Sequence, residues 1–180
     1  MQGMDYTKTE SGLLVPHSKI AVGGVFKGQI LRNNEIIDEF EDHNLVVNEG
    51  LNHMLNVTFN GATQIGTWYV GVFEGNYTPV ATVTAATITA ASTETTAYTS
   101  STRPEYVEAA STTQSITNTA NRASFIFNAT KTIYGAFLVS SSTKSGTSGT
   151  LFSAARFSTS KNVESGDELL LTYTFSAASA

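Results

Sequence analysis

The stretch ASFIFNATKTIYGAFLVS, residues 123–140, holds two apolar segments with a short polar turn between them. In the first segment Phe125 and Phe127 alternate with Ile126, and this period of two puts neighbouring side chains on opposite faces of a β-strand. The second segment, residues 132–140, is rich in the β-branched and aromatic residues that favour strands. The stretch therefore predicts two strands separated by a turn.

Three further segments have the same strand-forming composition, at residues 67–73, 150–157 and 168–175. Turn signals lie between them, among them the Ser/Gly run SSSTKSGTSG at residues 140–149. Short strands at roughly even spacing, without helices between them, are typical of an antiparallel β-sandwich. We therefore expect an all-β fold, a jelly roll or a related Greek-key sandwich. The long polar links at residues 78–100 and 158–164 are interpreted as crossovers between the two sheets.

The first third of the chain adds a hairpin and a helix. Residues 24–41 alternate as two strands around Asn33-Asn34, a pair that favours a tight turn. Leu51, Met54 and Leu55 then follow the helical spacing i, i+3, i+4. Residues 49–57 are therefore predicted as one short helix, with Asn48 as its N-cap.

Two parts are predicted along the chain, an extended N-terminal arm at residues 1–24 and a sandwich domain at residues 25–180. The arm is polar apart from Leu13, Leu14 and Val15, which precede Pro16. One interpretation is a frayed terminus. The other is an arm that becomes ordered against a partner, with these three apolar residues as its anchor.

Composition excludes several classes of partner. Only 14% of the residues are charged and the net charge is -5, with no cluster of Lys and Arg, so we expect no binding to nucleic acid. No apolar run approaches the ~20 residues of a membrane span, and the N-terminus lacks the pattern of a secretory signal. The chain has no cysteine, which excludes disulfides and thiolate metal sites.

No pattern of catalytic residues is found. His17, His43 and His53 lack the spacing of metal ligands, and the acids Glu105 and Glu108 are interpreted as surface charges. The sequence contains no nucleophile elbow, no P-loop and no dinucleotide-binding glycine motif. We expect a protein that is not an enzyme and that needs no cofactor or metal.

The Thr-rich segment VATVTAATITAASTETTAYT, residues 80–99, contains a single charged residue, Glu94. Its small side chains would permit close backbone approach to a neighbouring strand, which predicts a contact segment; a mobile surface loop is the alternative. Tyr98, Arg103 and Tyr106 follow it. They either pack back on the sandwich or act as anchors at a protein contact, where Tyr and Arg are favoured. Arg156 either faces solvent or pairs across an interface.

The blocks NLVVNEGLNHMLNVTF (44–59) and TWYVGVFEGNYTPVATVTA (67–85) resemble a family of small virion proteins of tailed bacteriophages. TRPEYVEA (102–109) and GDELLLTYTF (166–175) continue the resemblance, which covers roughly residues 25–175. It implies a capsid decoration, or cement, protein on the phage head surface, assembled in the host cytoplasm. The partners it implies are the major capsid protein and other copies of the chain, as a homodimer or homotrimer.

An alternative role is a receptor- or carbohydrate-binding sandwich associated with a tail, connector or fibre. Such a protein would line an exposed groove with aromatic side chains. Trp68, Tyr69 and Tyr77 are the candidates, although Trp68 and Tyr69 lie in a strand that reads as core.

Overall fold

The computed structural model describes residues 6–8, 11–12, 14–16, 20–111 and 113–179. It is the predicted antiparallel β-sandwich. One sheet has the order β4-β3-β12-β8, with β9 also pairing with β12, and the other has the order β5-β11-β10-β6-β7. The strands are β1 (Tyr6–Lys8), β2 (Leu14–Pro16), β3 (Ile20–Arg32), β4 (Glu35–His43), β5 (Leu45–Val46), β6 (Trp68–Phe73), β7 (Glu105–Tyr106), β8 (Ser115–Thr117), β9 (Ala123–Ile126), β10 (Lys131–Val139), β11 (Leu151–Val163) and β12 (Glu168–Ser179).

The chain changes sheet after β4, β7, β9 and β11. The two strands predicted from residues 123–140 therefore lie in different sheets, β9 beside β12 and β10 between β11 and β6. Alternation along β9 is as predicted, because Phe125 and Phe127 are buried whereas Ile126 is exposed. Between the sheets lies the main core, in which Phe26, Ile30 and Leu171 are fully buried.

The hairpin of β3 and β4 is confirmed, with Arg32 paired to Glu35 across a two-residue turn. Asn33 and Asn34 have φ angles of 53° and 65°. Asparagine tolerates this left-handed region, which a tight hairpin turn requires. At its other end β3 begins at Ile20, and residues 20–24 pair with the end of β12. The sandwich thus includes the last residues of the segment that was predicted as the arm.

The predicted helix is present as α1 (Asn48–Phe59), but its N-cap is Val47 and Asn48 is its first residue. Leu51 and Met54 pack against the core, as their spacing predicted. Leu55 instead is 57% exposed. The buried face of α1 is therefore narrower than the spacing of Leu51, Met54 and Leu55 predicted, because Leu55 faces solvent.

A second helix, α2 (Ala85–Ser92), lies inside the Thr-rich segment, and the prediction of a single helix was wrong. Thr84 and Thr87 form a reciprocal capping box at its start, and Thr93 ends it with a φ of 55°. Ile88 is fully buried in a second apolar cluster. Residues 85–92 are therefore neither an open strand edge for a neighbour nor a loose loop, because their backbone is hydrogen-bonded within a packed helix.

The polar link predicted at residues 158–164 is also wrong, because β11 continues as a strand to Val163. Its second half pairs with the start of β10, where Lys131 faces Val163. A shift of register between Ile133 and Gly135 separates the two halves of the pairing. Polar side chains are compatible with this strand because one of its faces is exposed to solvent.

Candidate functional site: a groove beside the first helix

A groove of about 380 Å³ lies beside α1 and is lined by residues from both sheets. We call it the α1 groove. Its aromatic walls come from β6, β7, β11 and β12, and it is lined by Trp68, Tyr106, Phe152, Tyr173 and Phe175. The lining also takes Met54 and Val57 from the helix and Ile65 from the loop that follows it. The α1 groove is therefore mainly apolar and aromatic.

The aromatic rings of the groove contact one another edge to face. The ring centroids of Trp68 and Phe152 are 5.5 Å apart at an interplanar angle of 68°, and those of Phe152 and Phe175 are 5.1 Å apart at 82°. Such geometry is favourable for aromatic pairs. On the helix side, the ring centroids of His53 and Trp68 are 5.7 Å apart, and these two rings also meet edge to face. The walls thus form one connected aromatic cluster.

Two buried tyrosines, Tyr106 and Tyr173, form the floor of the groove. Their hydroxyl groups form hydrogen bonds within the protein. Tyr106 donates its hydroxyl to the carbonyl of Tyr173 at 3.2 Å, and Asn44 donates to the Tyr173 hydroxyl at 2.8 Å. Burial raises the pKa of Tyr106 and raises the pKa of Tyr173 to about 12. Both phenols are therefore neutral near neutral pH, and these hydrogen bonds hold the floor in place.

The polar lining of the groove consists of His53, Thr58, Gln64 and Glu108. Glu108 is the one charged side chain in the lining, which includes no Lys or Arg. An anionic ligand would meet a carboxylate there and no cation, so the groove is unsuited to phosphate or acidic groups. Its chemistry favours an uncharged or cationic occupant with a large apolar surface.

Three exposed apolar side chains directly follow groove residues along the chain, but none of them lines the groove. Leu55 and Phe59 are 57% and 81% exposed, and their i, i+4 spacing puts them on the same side of α1. Val107, between the groove residues Tyr106 and Glu108, is 42% exposed.

Close packing of α1 on β11 sets the position of the helix. A Cβ atom on Gly50 would lie 2.4 Å from the carbonyl oxygen of Phe152, so only glycine permits this approach. Glu49, the residue before it, accepts hydrogen bonds from the backbone N–H groups of Ala85 at 2.8 Å and Leu151 at 2.7 Å. One carboxylate thus connects the first turns of both helices to β11.

Tyr98, Arg103 and Tyr106, predicted as possible partner contacts, are buried within the protein, and the interface interpretation of them is corrected. Their exposed fractions are 2%, 1% and 4%. Tyr98 packs edge to face on Phe125, and Tyr106 contributes to the groove only as part of its floor. All three side chains instead pack back on the sandwich, which was the other interpretation of these residues.

Arg103 is held by a buried network. It pairs with Glu94 through two hydrogen bonds, and its Nη1 donates to the carbonyl of Ser141 at 2.8 Å. Glu94 also accepts from the backbone N–H of Ser145 at 2.8 Å. The pair therefore ties the segment after α2 to the loop between β10 and β11, which is a structural role.

The predicted arm anchor lies largely outside the described residues. Leu13 is not among them, and of Leu14 and Val15 only the backbone is described, as part of β2. That strand pairs antiparallel with β1, Val15 opposite Thr7, as a sheet of two strands. The anchor function of these residues stays a prediction.

Of the three candidate groove aromatics, Trp68 lines the α1 groove and the other two do not. Tyr69 follows Trp68 in β6, and adjacent strand residues point to opposite faces. Tyr77 packs against the second apolar cluster beside α2. Arg156 is exposed and donates to Asn76 at 2.8 Å, so within this chain it faces solvent.

The sequence did not reveal the α1 groove, because its walls come from distant strands. A usable signal was the combination of two apolar residues on one helix face, Met54 and Val57, with the single tryptophan eleven residues after Val57. The described residues hold no group of three or more His, Asp or Glu that could bind a metal ion. In the same part of the chain, neither helix has the length and apolarity needed to cross a membrane. No protein-family model matches the chain, and neither does any curated protein.

Proposed function

We propose that this chain is a non-enzymatic virion structural protein of a tailed bacteriophage, a decoration protein that binds the head and stabilises the major capsid protein lattice. The observation that supports this proposal is the two-stranded sheet of β1 and β2, which, among the residues that the structure describes, pairs with neither sheet of the sandwich. An isolated two-stranded hairpin is marginally stable in water. Packing on a capsid subunit would add burial to this two-stranded sheet.

The sandwich itself suits a protein present in many copies. Charged residues make up only 14% of the chain, so neighbouring copies on a shell would repel one another weakly. The blocks at residues 44–59 and 67–85, which resemble small virion proteins, support the same role. In this proposal the chain associates with itself as a homodimer or homotrimer and is assembled onto heads in the host cytoplasm.

The abundance of the chain in purified virions tests this proposal. A decoration protein is present in a number comparable to that of the major capsid protein, so quantitative mass spectrometry should find the two in a simple ratio. Disassembly into heads and tails provides the control, because the chain should follow the heads. A small copy number, or recovery with the tails, would contradict the proposal.

A second candidate function is supported by the α1 groove, a tail- or fibre-associated sandwich that binds carbohydrate. Trp68 offers an aromatic surface beside the polar groups of His53, Gln64 and Glu108, a mixture that suits a neutral sugar ring. A glycan array probed with wild-type protein and Trp68→Ala distinguishes this function. Binding that the substitution abolishes would support it, and silence of the wild-type protein would count against it.

A further inference from the structure

Glu108 is the single Asp, Glu, Lys or Arg among the described residues that line the α1 groove. Its side chain is exposed, and none of the ion pairs among the described residues includes it. From residue 50 to residue 121 the only Lys or Arg is Arg103, which is buried in its pair with Glu94. The carboxylate of Glu108 can therefore pair with a positively charged ligand.

The carboxylate lies near the aromatic floor of the groove. Glu108 is two residues after Tyr106, and both residues line the groove. Burial raises the pKa of Tyr106, and the negative charge of Glu108 adds to that rise. Because interactions between charges weaken with distance, the carboxylate of Glu108 lies close to the phenol of Tyr106. The groove thus combines one negative charge with aromatic rings.

Two of those rings remain open to a ligand. Trp68 and Phe175 line the groove and are only partly buried, so part of each ring stays accessible. The face of an aromatic ring carries negative charge density, and a cation within about 6 Å of its centroid is attracted to it, most strongly for tryptophan. Rings of this kind beside a carboxylate favour a cationic ligand.

The size and apolarity of the groove indicate which cation would fit. Apolar cavities of about 150 Å³ bind benzene, and the α1 groove measures about 380 Å³. A trimethylammonium group is similar in size to benzene, so the groove has room for this group and a short chain. Methyl groups cover the charge with apolar surface, whereas a primary ammonium is strongly hydrated and would lose that hydration in an apolar site.

We propose that the α1 groove binds a small organic ammonium ion whose nitrogen carries alkyl groups, with Trp68 and Phe175 against the alkyl groups and Glu108 opposite the charge. A neutral sugar, the ligand of the second candidate function, would use the rings but leave the carboxylate without a counter-charge. The inference goes beyond the decoration role, which requires no ligand in this groove. A result against either one leaves the other standing.

A pair of ligands with the same shape tests the proposal. Choline carries a trimethylammonium group, and in dimethylbutanol a carbon atom replaces the nitrogen, so the two differ mainly in charge. Isothermal titration calorimetry should show that wild-type protein binds choline roughly tenfold more tightly than dimethylbutanol. Equal affinities would overturn the proposal, and so would binding of a neutral sugar without binding of choline.

Phosphocholine distinguishes a free ammonium ion from a lipid headgroup. It carries the same trimethylammonium group together with a phosphate, which Glu108 would repel. Phosphocholine should therefore bind more weakly than choline. Tighter binding of phosphocholine would contradict a groove that selects positive charge.

Glu108→Gln removes the charge and keeps the shape of the side chain. It should weaken choline binding by roughly fivefold and leave dimethylbutanol binding unchanged. Glu105→Gln is the matched control, because Glu105 is exposed in β7 and does not line the groove. It should leave both affinities unchanged. Equal effects of the two substitutions would show that the net charge of the protein, and not Glu108, sets the preference.

Trp68 reports the place of binding, because it is the single tryptophan of the chain. Choline should change its emission along a saturable curve, with the same dissociation constant as in calorimetry. Trp68→Leu should remove most of the affinity, and Trp68→Phe, which keeps a ring, should retain part of it. Circular dichroism establishes that both variants fold. Choline binding that leaves Trp68 emission constant would place the ligand outside the groove and refute the assignment.

Discussion

Arg103 and Glu94 form a bidentate ion pair in the interior, with Nε to Oε1 at 2.8 Å and Nη2 to Oε2 at 2.7 Å. Both side chains have almost no solvent exposure, 0% and 1%. Arg103 also lies over the ring of Phe137, with its guanidinium carbon 5.2 Å from the centroid. The pair therefore holds the segment after α2 and the loop between β10 and β11 against Phe137 of β10.

Removal of one partner of this pair should be costly. Arg103→Met leaves the Glu94 carboxylate buried without its cation, and loss of one member of a buried pair costs about 3–5 kcal/mol of unfolding free energy. Urea unfolding measures the change. The double variant Arg103→Met with Glu94→Gln should lose less, because no unpaired charge remains. A single variant as stable as wild type would contradict the structural role of the pair.

Gly50→Ala should displace α1 from β11. The new methyl group would collide with the backbone of Phe152, and overpacking of this kind costs about 1–3 kcal/mol. Thermal unfolding and Trp68 emission should both change, because the helix forms one wall of the groove. Asn52→Ala, at an exposed position of the same helix, is the control and should leave both unchanged. Equal effects of the two substitutions would argue against close packing at Gly50.

Stability at acidic pH should depend on Asp167. Arg32 donates to both carboxylate oxygens of Asp167 at 2.9 and 2.8 Å, and this holds the pKa of Asp167 below its ordinary value of 3.8. A carboxyl group with a lowered folded pKa stabilises the protein fully above its unfolded pKa. That contribution is lost as the pH falls through the folded pKa.

The difference in unfolding free energy between wild type and Asp167→Asn should therefore be constant near neutral pH and shrink below about pH 4. Chemical denaturation at a series of pH values measures it. Glu164→Gln is the control, because Glu164 also contacts Arg32 but is 61% exposed and should matter little. A difference that is independent of pH would contradict the assignment.

The arm should bind the capsid without stabilising the sandwich. Simultaneous substitution of Leu13, Leu14 and Val15 by Asp should reduce binding to heads that lack the protein, with unfolding of the sandwich unchanged, because β3 begins at Ile20. Ile36→Asp with Ile37→Asp, at exposed positions of β4, is the matched control. Full binding by the arm variant in a head pull-down would contradict the anchor.

Strands were predictable wherever side chains alternate or β-branched and aromatic residues cluster, as in β6, β9 and β10. The helix α2 was not, because threonine favours strands and the segment has no apolar period of 3.6 residues. Its start depends on a reciprocal pair of threonine side chains, Thr84 and Thr87, which sequence spacing alone does not distinguish from a polar loop. Burial of Ile88 under the second cluster then favours the helix.

Buried charge was the other feature that the sequence left open. Arg103 could be interpreted as packed on the sandwich or as an anchor at a protein contact, because arginine is almost never fully buried unless it is paired. Its partner Glu94 is nine residues earlier, and the carbonyls that complete its hydrogen bonds belong to a distant loop. The candidate site likewise depends on tertiary structure, since Phe152 and Phe175 join Trp68 only when both sheets have formed.

Cryo-EM reconstruction of purified phage heads would locate the chain on the particle. The decoration role predicts density for this sandwich at positions repeated over the whole shell, with the N-terminal arm in contact with major capsid subunits. Density confined to the tail or a single vertex, or no density for the chain on the head, would contradict it.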